Sequence, residues 1–323
     1  MPGPNFLIVR LGAMGDILHA LPAAASLKAS FGGSRLCWAV HPKWRGLLEG
    51  GGLADRIIPV QRSGWRSLAA SWRELRAERF DLVLDCQGLV QSALVARVAR
   101  APRVIGFARP AVRETPACWF YTTAVGPQSR HMVDRTLELA AAAGAVHRAV
   151  RFPLPPGRPE GSLPTVPFVL TSPLAGWRAK QWPEEYYTRL ARLIETGLGM
   201  PLVVNGAPRD EAALRAIPGV AVHLSSVAGL IDATRRATAV LGLDSGPLHL
   251  AAALEKPGVA LFGPTDPARN GPYSRSLTVL RQADAPVSYK RGNEIHPSMR
   301  ALTPEPVFEA LRASIRSATP AAP

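Results

Sequence analysis

Two short stretches of this chain combine carboxylates, glycines and a histidine in patterns that can do chemistry. The first is Gly12-Ala13-Met14-Gly15-Asp16, which follows the apolar run 6–11 and opens a helical pattern. Glycines at such a junction let the backbone turn tightly and approach a ligand. Asp16 then has two possible uses. It can accept backbone N–H groups as a helix cap, or it can take a proton from a hydroxyl as a general base. The second stretch is Asp244-Ser245-Gly246-Pro247, at the end of the apolar run 240–243, with His249 just beyond. Proline in a first helical turn leaves exposed N–H groups that suit a diphosphate. His249 either packs against the helix or touches the same ligand.

Three further junctions carry weaker signals. Residues 170–187 hold Lys180 in a loop with Arg178 and Trp182; Lys180 can set a point charge against a phosphate or remain solvated. Residues 204–214 place Asp210 and Glu211 at a helix start, where either can hold a ribose hydroxyl or simply favour the helix N-terminus. Gly263-Pro264-Thr265-Asp266-Pro267 ends another buried run and reads as a rigid turn on the same rim.

These groups need a frame that brings strand ends and helix starts to one edge. Strand candidates at 6–11, 35–40, 56–60, 81–85 and 103–106 alternate with helical patterns in the first half. Those at 166–171, 201–205, 220–224, 239–243, 258–262 and 276–281 do so in the second. The alternation predicts an α/β fold with parallel sheets covered by helices. Proline and glycine dominate 151–167, which reads as a linker between domains 1–155 and 156–323. Paired domains of this kind bind ligands in the cleft between them, at the carboxyl ends of their strands. The pattern 304–317 predicts a capped amphipathic helix.

Composition narrows the class. The chain has 323 residues, is 47% hydrophobic and carries a formal net charge of +14. No stretch approaches the ~20 uninterrupted apolar residues of a membrane span. The first residues show no signal-peptide pattern. Three scattered cysteines fit reduced thiols in a cytosolic protein. A basic surface attracts phosphorylated sugars, anionic lipid or nucleic acid. Zinc-finger spacings and RNA-binding aromatic stretches are absent, which argues against nucleic acid. P-loop, dinucleotide, nucleophile-elbow and HExxH patterns are absent too. No Asp-x-Asp pair is present either, so phosphate charge falls to Lys, Arg, His and backbone N–H groups, with no metal required.

The segments GAMGDILHALPA, DCQGLVQSAL, AKQWPEEYY, NGAPRDE, GLDSGPLHLAAAL and FGPTDP occur in this order along nearly the whole chain. Together they resemble glycosyltransferase family 9, the ADP-heptose:lipopolysaccharide heptosyltransferases. The segments 113–121 and 131–140 point to the heptosyltransferase I branch. The resemblance implies a GT-B fold, two Rossmann-like domains facing across a cleft, with helix 304–317 packing back on the first domain. It implies ADP-heptose as donor, bound by the second domain, and a Kdo sugar on lipid A as acceptor, bound by the first. It assigns Asp16 as general base. Lys180, Asp210, Asp244, Ser245, Gly246 and His249 fall to the donor, and Arg62, Arg66 and Arg113 to the anionic acceptor. It further implies an inverting enzyme working without a metal or other cofactor, at the cytoplasmic face of the inner membrane. The chain departs from the family pattern at Ala13, at Ala175-Gly176-Trp177 and at Asp210, where the family often has glutamate. A relative using another donor or acceptor, as in the heptosyltransferase II branch, is the nearest alternative. A nucleotide-binding oxidoreductase and a non-catalytic polyanion-binding protein are more distant ones.

Overall fold

The computed structural model describes residues 3–61 and 63–318. The chain divides after Pro155 into two compact units. The first holds strands β1 (Asn5–Val9), β2 (Arg35–Val40), β3 (Arg56–Pro59), β4 (Leu82–Asp85), β5 (Arg103–Phe107) and β6 (Thr123–Val125). Its helices are α1 (Met14–Ser30), α2 (Trp65–Arg76), α3 (Val90–Val98) and α4 (Met132–Ala142). The second holds β7 (Val169–Thr171), β8 (Leu202–Gly206), β9 (Ala221–Leu224), β10 (Ala239–Leu243), β11 (Gly258–Phe262) and β12 (Leu277–Arg281). Its helices are α5 (Glu184–Leu198), α6 (Glu211–Arg215), α7 (Val227–Arg236), α8 (Gly246–Ala253), α9 (Pro267–Asn270), α10 (Pro297–Arg300) and α11 (Pro304–Ala318).

Each unit contains one parallel sheet of six strands. The orders are β3-β2-β1-β4-β5-β6 and β12-β11-β10-β7-β8-β9. Both are the Rossmann order, and chain direction across the sheet reverses between β1 and β4 in one unit and between β7 and β10 in the other. Ligands in such sheets bind beyond the carboxyl ends of the strands at this reversal. Central strands are continuous apolar runs because helices cover both faces: Leu7, Ile8 and Val9 are buried, as are Leu241 and Leu243. Helix α1 is apolar nearly all round and buried, as a helix enclosed by neighbours must be. It packs on α4, where the Thr136 hydroxyl donates to the His19 carbonyl at 2.9 Å.

Strand β6 has no counterpart among the sequence-based candidates. It is three residues long and half-exposed at the sheet edge, too short to show alternation. The linker region 151–167 carries no helix or strand. Glu160 fastens it to the second unit, its carboxylate accepting the N–H of Ser226 at 2.7 Å and its hydroxyl at 2.8 Å.

The C-terminal helix α11 has its apolar face covered within the second unit. The apolar face of α11, Pro304, Val307, Phe308 and Leu311, is buried against α5 and strands β10–β12 of its own unit. Ser314 adds a hydrogen bond from the Gly258 N–H to its hydroxyl at 2.7 Å. Such a face is satisfied by the nearest apolar surface, and sequence periodicity does not say which surface that is. Gly197 of α5 makes the approach possible, since a Cβ there would lie 2.5 Å from the Phe308 ring. Gly197→Ala is expected to destabilise the protein by about 1–3 kcal/mol through this overpacking, read as a lower midpoint in urea unfolding.

Candidate functional site

At the first reversal point, β1 ends at Val9 and runs into a charged residue, Arg10, that is only 3% exposed. A buried guanidinium needs partners. Its Nη1 donates to the carbonyl of Cys86 at 2.6 Å, and its Nη2 lies 2.7 Å from Oδ2 of Asp16. Asp16 is therefore not the N-cap of α1. That place belongs to Ala13, and Asp16, the third helical residue, reaches back to accept the Ala13 N–H on the same Oδ2 at 3.2 Å. Both partners hold one oxygen. Asp16 remains 33% exposed, and its Oδ1 has no donor among the described residues.

The loop after β4 closes this arrangement. Asp85 is fully buried and accepts from the N–H of Gln87 (2.8 Å) and of Gly88 (3.3 Å), from the Ser92 hydroxyl (2.8 Å) and from the Tyr121 hydroxyl (2.8 Å). Burial pushes its carboxyl above the usual range despite these donors. The same burial pushes the Cys86 thiol up to about 12. The Gln87 side-chain carbonyl accepts the Leu11 N–H at 2.8 Å, tying the β4 loop to the β1 loop. Gly106 in β5 leaves room for Tyr121, whose ring would lie 2.3 Å from a Cβ there.

The arginines expected to meet the acceptor are placed differently. Arg113 is exposed, and its backbone N sits 3.3 Å from where a Gly88 Cβ would be. Glu114 beside it donates its N–H to the Gly88 carbonyl at 3.0 Å and accepts the Val90 N–H at 2.7 Å. Arg113 thus stands on the rim of the β4 loop. Arg66 is exposed on α2, with its guanidinium 5.4 Å from the centre of the Trp65 ring. Arg62 lies outside the described residues.

The second reversal point carries the opposite chemistry. Lys180 lies in a single 3-10 turn after β7, and its Nζ is 2.6 Å from Oδ2 of Asp244 at the end of β10. The two side chains are 15% and 6% exposed. His249 Nε2 lies 3.8 Å from the other Asp244 oxygen. Ser245 is the N-cap of α8 without a side-chain capping bond, and Gly246-Pro247 forms its first turn. Of the first backbone groups of α8, Pro247 has no N–H and those of Leu248 and His249 donate to the Ser245 carbonyl at 3.1 and 3.5 Å, so the Gly246 N–H is the one left without an intrahelical acceptor, at the carboxyl end of β10. Trp177 lies against the cluster, with Lys180 Nζ 4.2 Å and the Arg291 guanidinium 5.4 Å from its ring centre. A small cavity lined by Thr171, Ser172, Leu243, Ser245 and Pro247 opens beside it.

Lys180, Asp244, Ser245, Gly246 and His249 are therefore brought together. Asp210 is not part of that cluster. It follows β8, one strand over, and its carboxylate accepts the Ala207 N–H at 3.1 Å in its own turn. Sequence reasoning missed Arg10, Asp85, Gln87, Trp177 and Arg291. A charge inside the apolar run 6–11 was the available signal for Arg10, because a buried cation implies a carboxylate or carbonyl nearby. Trp177 and Arg291 come from distant segments, and no local pattern joins them.

Residues 68–296 match the model of glycosyltransferase family 9 (heptosyltransferase). The chain is 32% identical over 299 residues to lipopolysaccharide heptosyltransferase 1 of Pseudomonas aeruginosa, covering 85% of this chain and 82% of that protein. It is also 32% identical over 310 residues to lipopolysaccharide heptosyltransferase 1 of Escherichia coli strain K12, covering 85% and 92%. The solved structure of E. coli heptosyltransferase WaaC with ADP superposes with a TM-score of 0.78 at 27% identity, over 96% of this chain and 99% of that one. The E. coli ADP-heptose lps heptosyltransferase II shares the fold, with a TM-score of 0.79 at 24% identity over 97% and 99%. The two parallel sheets are those of a GT-B fold, and with the family model matched over most of its length this chain belongs to glycosyltransferase family 9.

Proposed function

We propose that this protein transfers heptose from ADP-heptose to Kdo of lipid A in building the lipopolysaccharide inner core. The observation that carries the reading is a carboxylate held by one oxygen: Arg10 and the Ala13 N–H both sit on Oδ2 of Asp16, leaving Oδ1 for an acceptor hydroxyl. In this reading transfer is a single displacement with inversion. Oδ1 takes the hydroxyl proton while that oxygen attacks the anomeric carbon, and Arg10 keeps the carboxylate in place. Positive charge develops on the sugar as its bond to the diphosphate breaks. Negative charge builds on the departing ADP, where Lys180, His249 and the Gly246 N–H at the start of α8 stabilise it. Asp244 presets the Lys180 ammonium at 2.6 Å, so the donor meets an oriented cation.

The remaining assignments follow the same division. The first domain takes the acceptor, with Arg62, Arg66 and Arg113 for its anionic groups. The second domain takes the donor, with Asp210 for a ribose hydroxyl. The transition-state charge is met by side chains and backbone, so the reaction needs no metal. The family relationship and the WaaC structure with ADP-2-deoxy-2-fluoro heptose, 25% identical with a TM-score of 0.75, support a nucleotide-sugar donor. The enzyme acts at the cytoplasmic face of the inner membrane. In this reading the contact is peripheral and draws on the +14 charge; among the described residues no helix is long and apolar enough to cross a membrane. A donor other than ADP-heptose is the second reading, favoured by Ala175-Gly176-Trp177 in the loop before Lys180. A transfer assay on Kdo-lipid A comparing ADP-heptose with UDP- and GDP-sugars decides between them.

Asp16→Asn is expected to slow transfer by about 10²–10⁴-fold, the usual worth of a general base, while calorimetry shows ADP affinity retained. Full turnover by that variant would end the assignment. Lys180→Ala is expected to weaken ADP-heptose binding roughly ten- to a hundredfold, as for loss of a charge-assisted contact; unchanged affinity would remove its phosphate role. Turnover measured in excess EDTA is expected to equal that without it, and a loss restored by a divalent cation would contradict the metal-free reading.

A further inference from the structure

Helix α2 turns two faces in different directions. Ser71 and Leu75 are buried and Leu68 is half-buried, so one stripe packs on the first unit's core. The opposite stripe carries Trp65, 76% exposed, and Trp72, 37% exposed. Seven residues apart, they stand two helical turns from one another on one face, about 10 Å along the axis. Arg66 and Arg73 repeat the same spacing one residue on, and Arg76 follows Trp72 by one turn; all three are exposed. A shallow hollow lined by Ala69, Trp72, Arg73, Arg76 and Ala77 runs along this stripe.

The acids of this segment do not neutralise it. Glu78 is tucked inward, 9% exposed, 3.0 Å from Arg35 and bonded to Arg56, whereas Glu74 is 42% exposed and lies 3.8 Å from Arg56. Burial alone would raise the Glu78 carboxyl, but these arginines outweigh it and hold it below the usual range. Solvent therefore sees indole and guanidinium together along this stripe, and Glu74, the more exposed acid between residues 65 and 79, lies beside Arg56.

We infer that the outer face of α2 is a docking surface for a bilayer bearing anionic phospholipid headgroups. Indole rings sit at the headgroup level, with an apolar body and a polar edge. Arginine stems lie along apolar surface while their heads reach phosphates. Each arginine near such a surface adds electrostatic attraction that decays within a Debye length. The surface deepens the proposed function and rests on its lipid-linked acceptor, since docking there keeps the first domain at the layer where the acceptor is anchored. Arg73, Arg76 and both tryptophans lie outside the residues assigned to catalysis or substrate binding.

The test uses the full chain and vesicles without acceptor. Co-sedimentation is expected with phosphatidylethanolamine vesicles containing phosphatidylglycerol, weakening as salt rises, and not with neutral phosphatidylcholine vesicles. Arg73→Ala/Arg76→Ala is expected to lower partitioning roughly thirtyfold, from two lost surface charges, and Trp65→Ala to lower it further. The double variant is expected to keep full turnover on a delipidated Kdo acceptor and to lose turnover when the acceptor is embedded in vesicles. Equal partitioning of parent and double variant overturns the proposal, as does equal binding to neutral vesicles. Displacement of the vesicles by a short single-stranded nucleic acid that binds more tightly at the same arginines also overturns it. If the parent binds anionic vesicles but never transfers to the delipidated acceptor, the functional reading fails while the docking surface stands.

Discussion

The buried guanidinium of Arg10 is the contact on which the first domain's chemistry depends. A cation taken out of water must find its partners inside the fold, and leaving it unpaired costs far more than a surface ion pair contributes. Arg10 finds a carbonyl from the loop after β4 and a carboxylate from the first turn of α1. The stretch from the end of β1 into α1 and the loop after β4, 76 residues away, are thereby fixed to one another at the sheet's reversal point. Asp85 does the same for the loop itself, gathering two backbone N–H groups and two hydroxyls around one buried carboxyl. The result is an aspartate with one oxygen committed to the scaffold and one that has no donor among the described residues.

The second domain solves a related problem with the signs arranged differently. Here the carboxylate, Asp244, is the deeper member, and the lysine it holds is the more exposed one. The group offered outward is a cation near the Gly246 N–H at the start of α8. The same strand order, built twice, thus presents a carboxylate oxygen at one reversal point and an ammonium at the other. Orientation of each outward group comes from an inward ion pair, so the buried partner sets where that group points.

The alternation of apolar runs with helical patterns made both sheets legible, because parallel strands covered on both faces leave continuous β-branched runs. The Asp244-to-His249 cluster was legible because one strand end and one helical turn bring it together. Lys180 entered through its motif, and its ion pair with Asp244 spans 64 residues. Arg10, Asp85 and Gln87 were on the page as letters, two of them within a segment that resembled the family. Their roles stayed hidden because their partners lie up to 76 residues away. β6 escaped for want of length. The destination of α11 escaped because an amphipathic stripe announces that it must be covered and says nothing about by what. Asp16 was read as a cap or a base; its place one turn inside the helix, reaching back to Ala13, needed the coordinates.

Cys86 lends Arg10 its carbonyl while its own thiol is buried and pushed up to about 12. Cys37, in the neighbouring strand β2, is likewise buried, with its thiol raised to about 11 chiefly by desolvation. Oxidants and electrophiles attack the thiolate, so neither sulfur offers them a target. Cys118 is the half-exposed thiol of the three. Oxidative modification of the folded protein would therefore begin there, in the turn after β5, leaving the loop that secures Asp16 chemically silent.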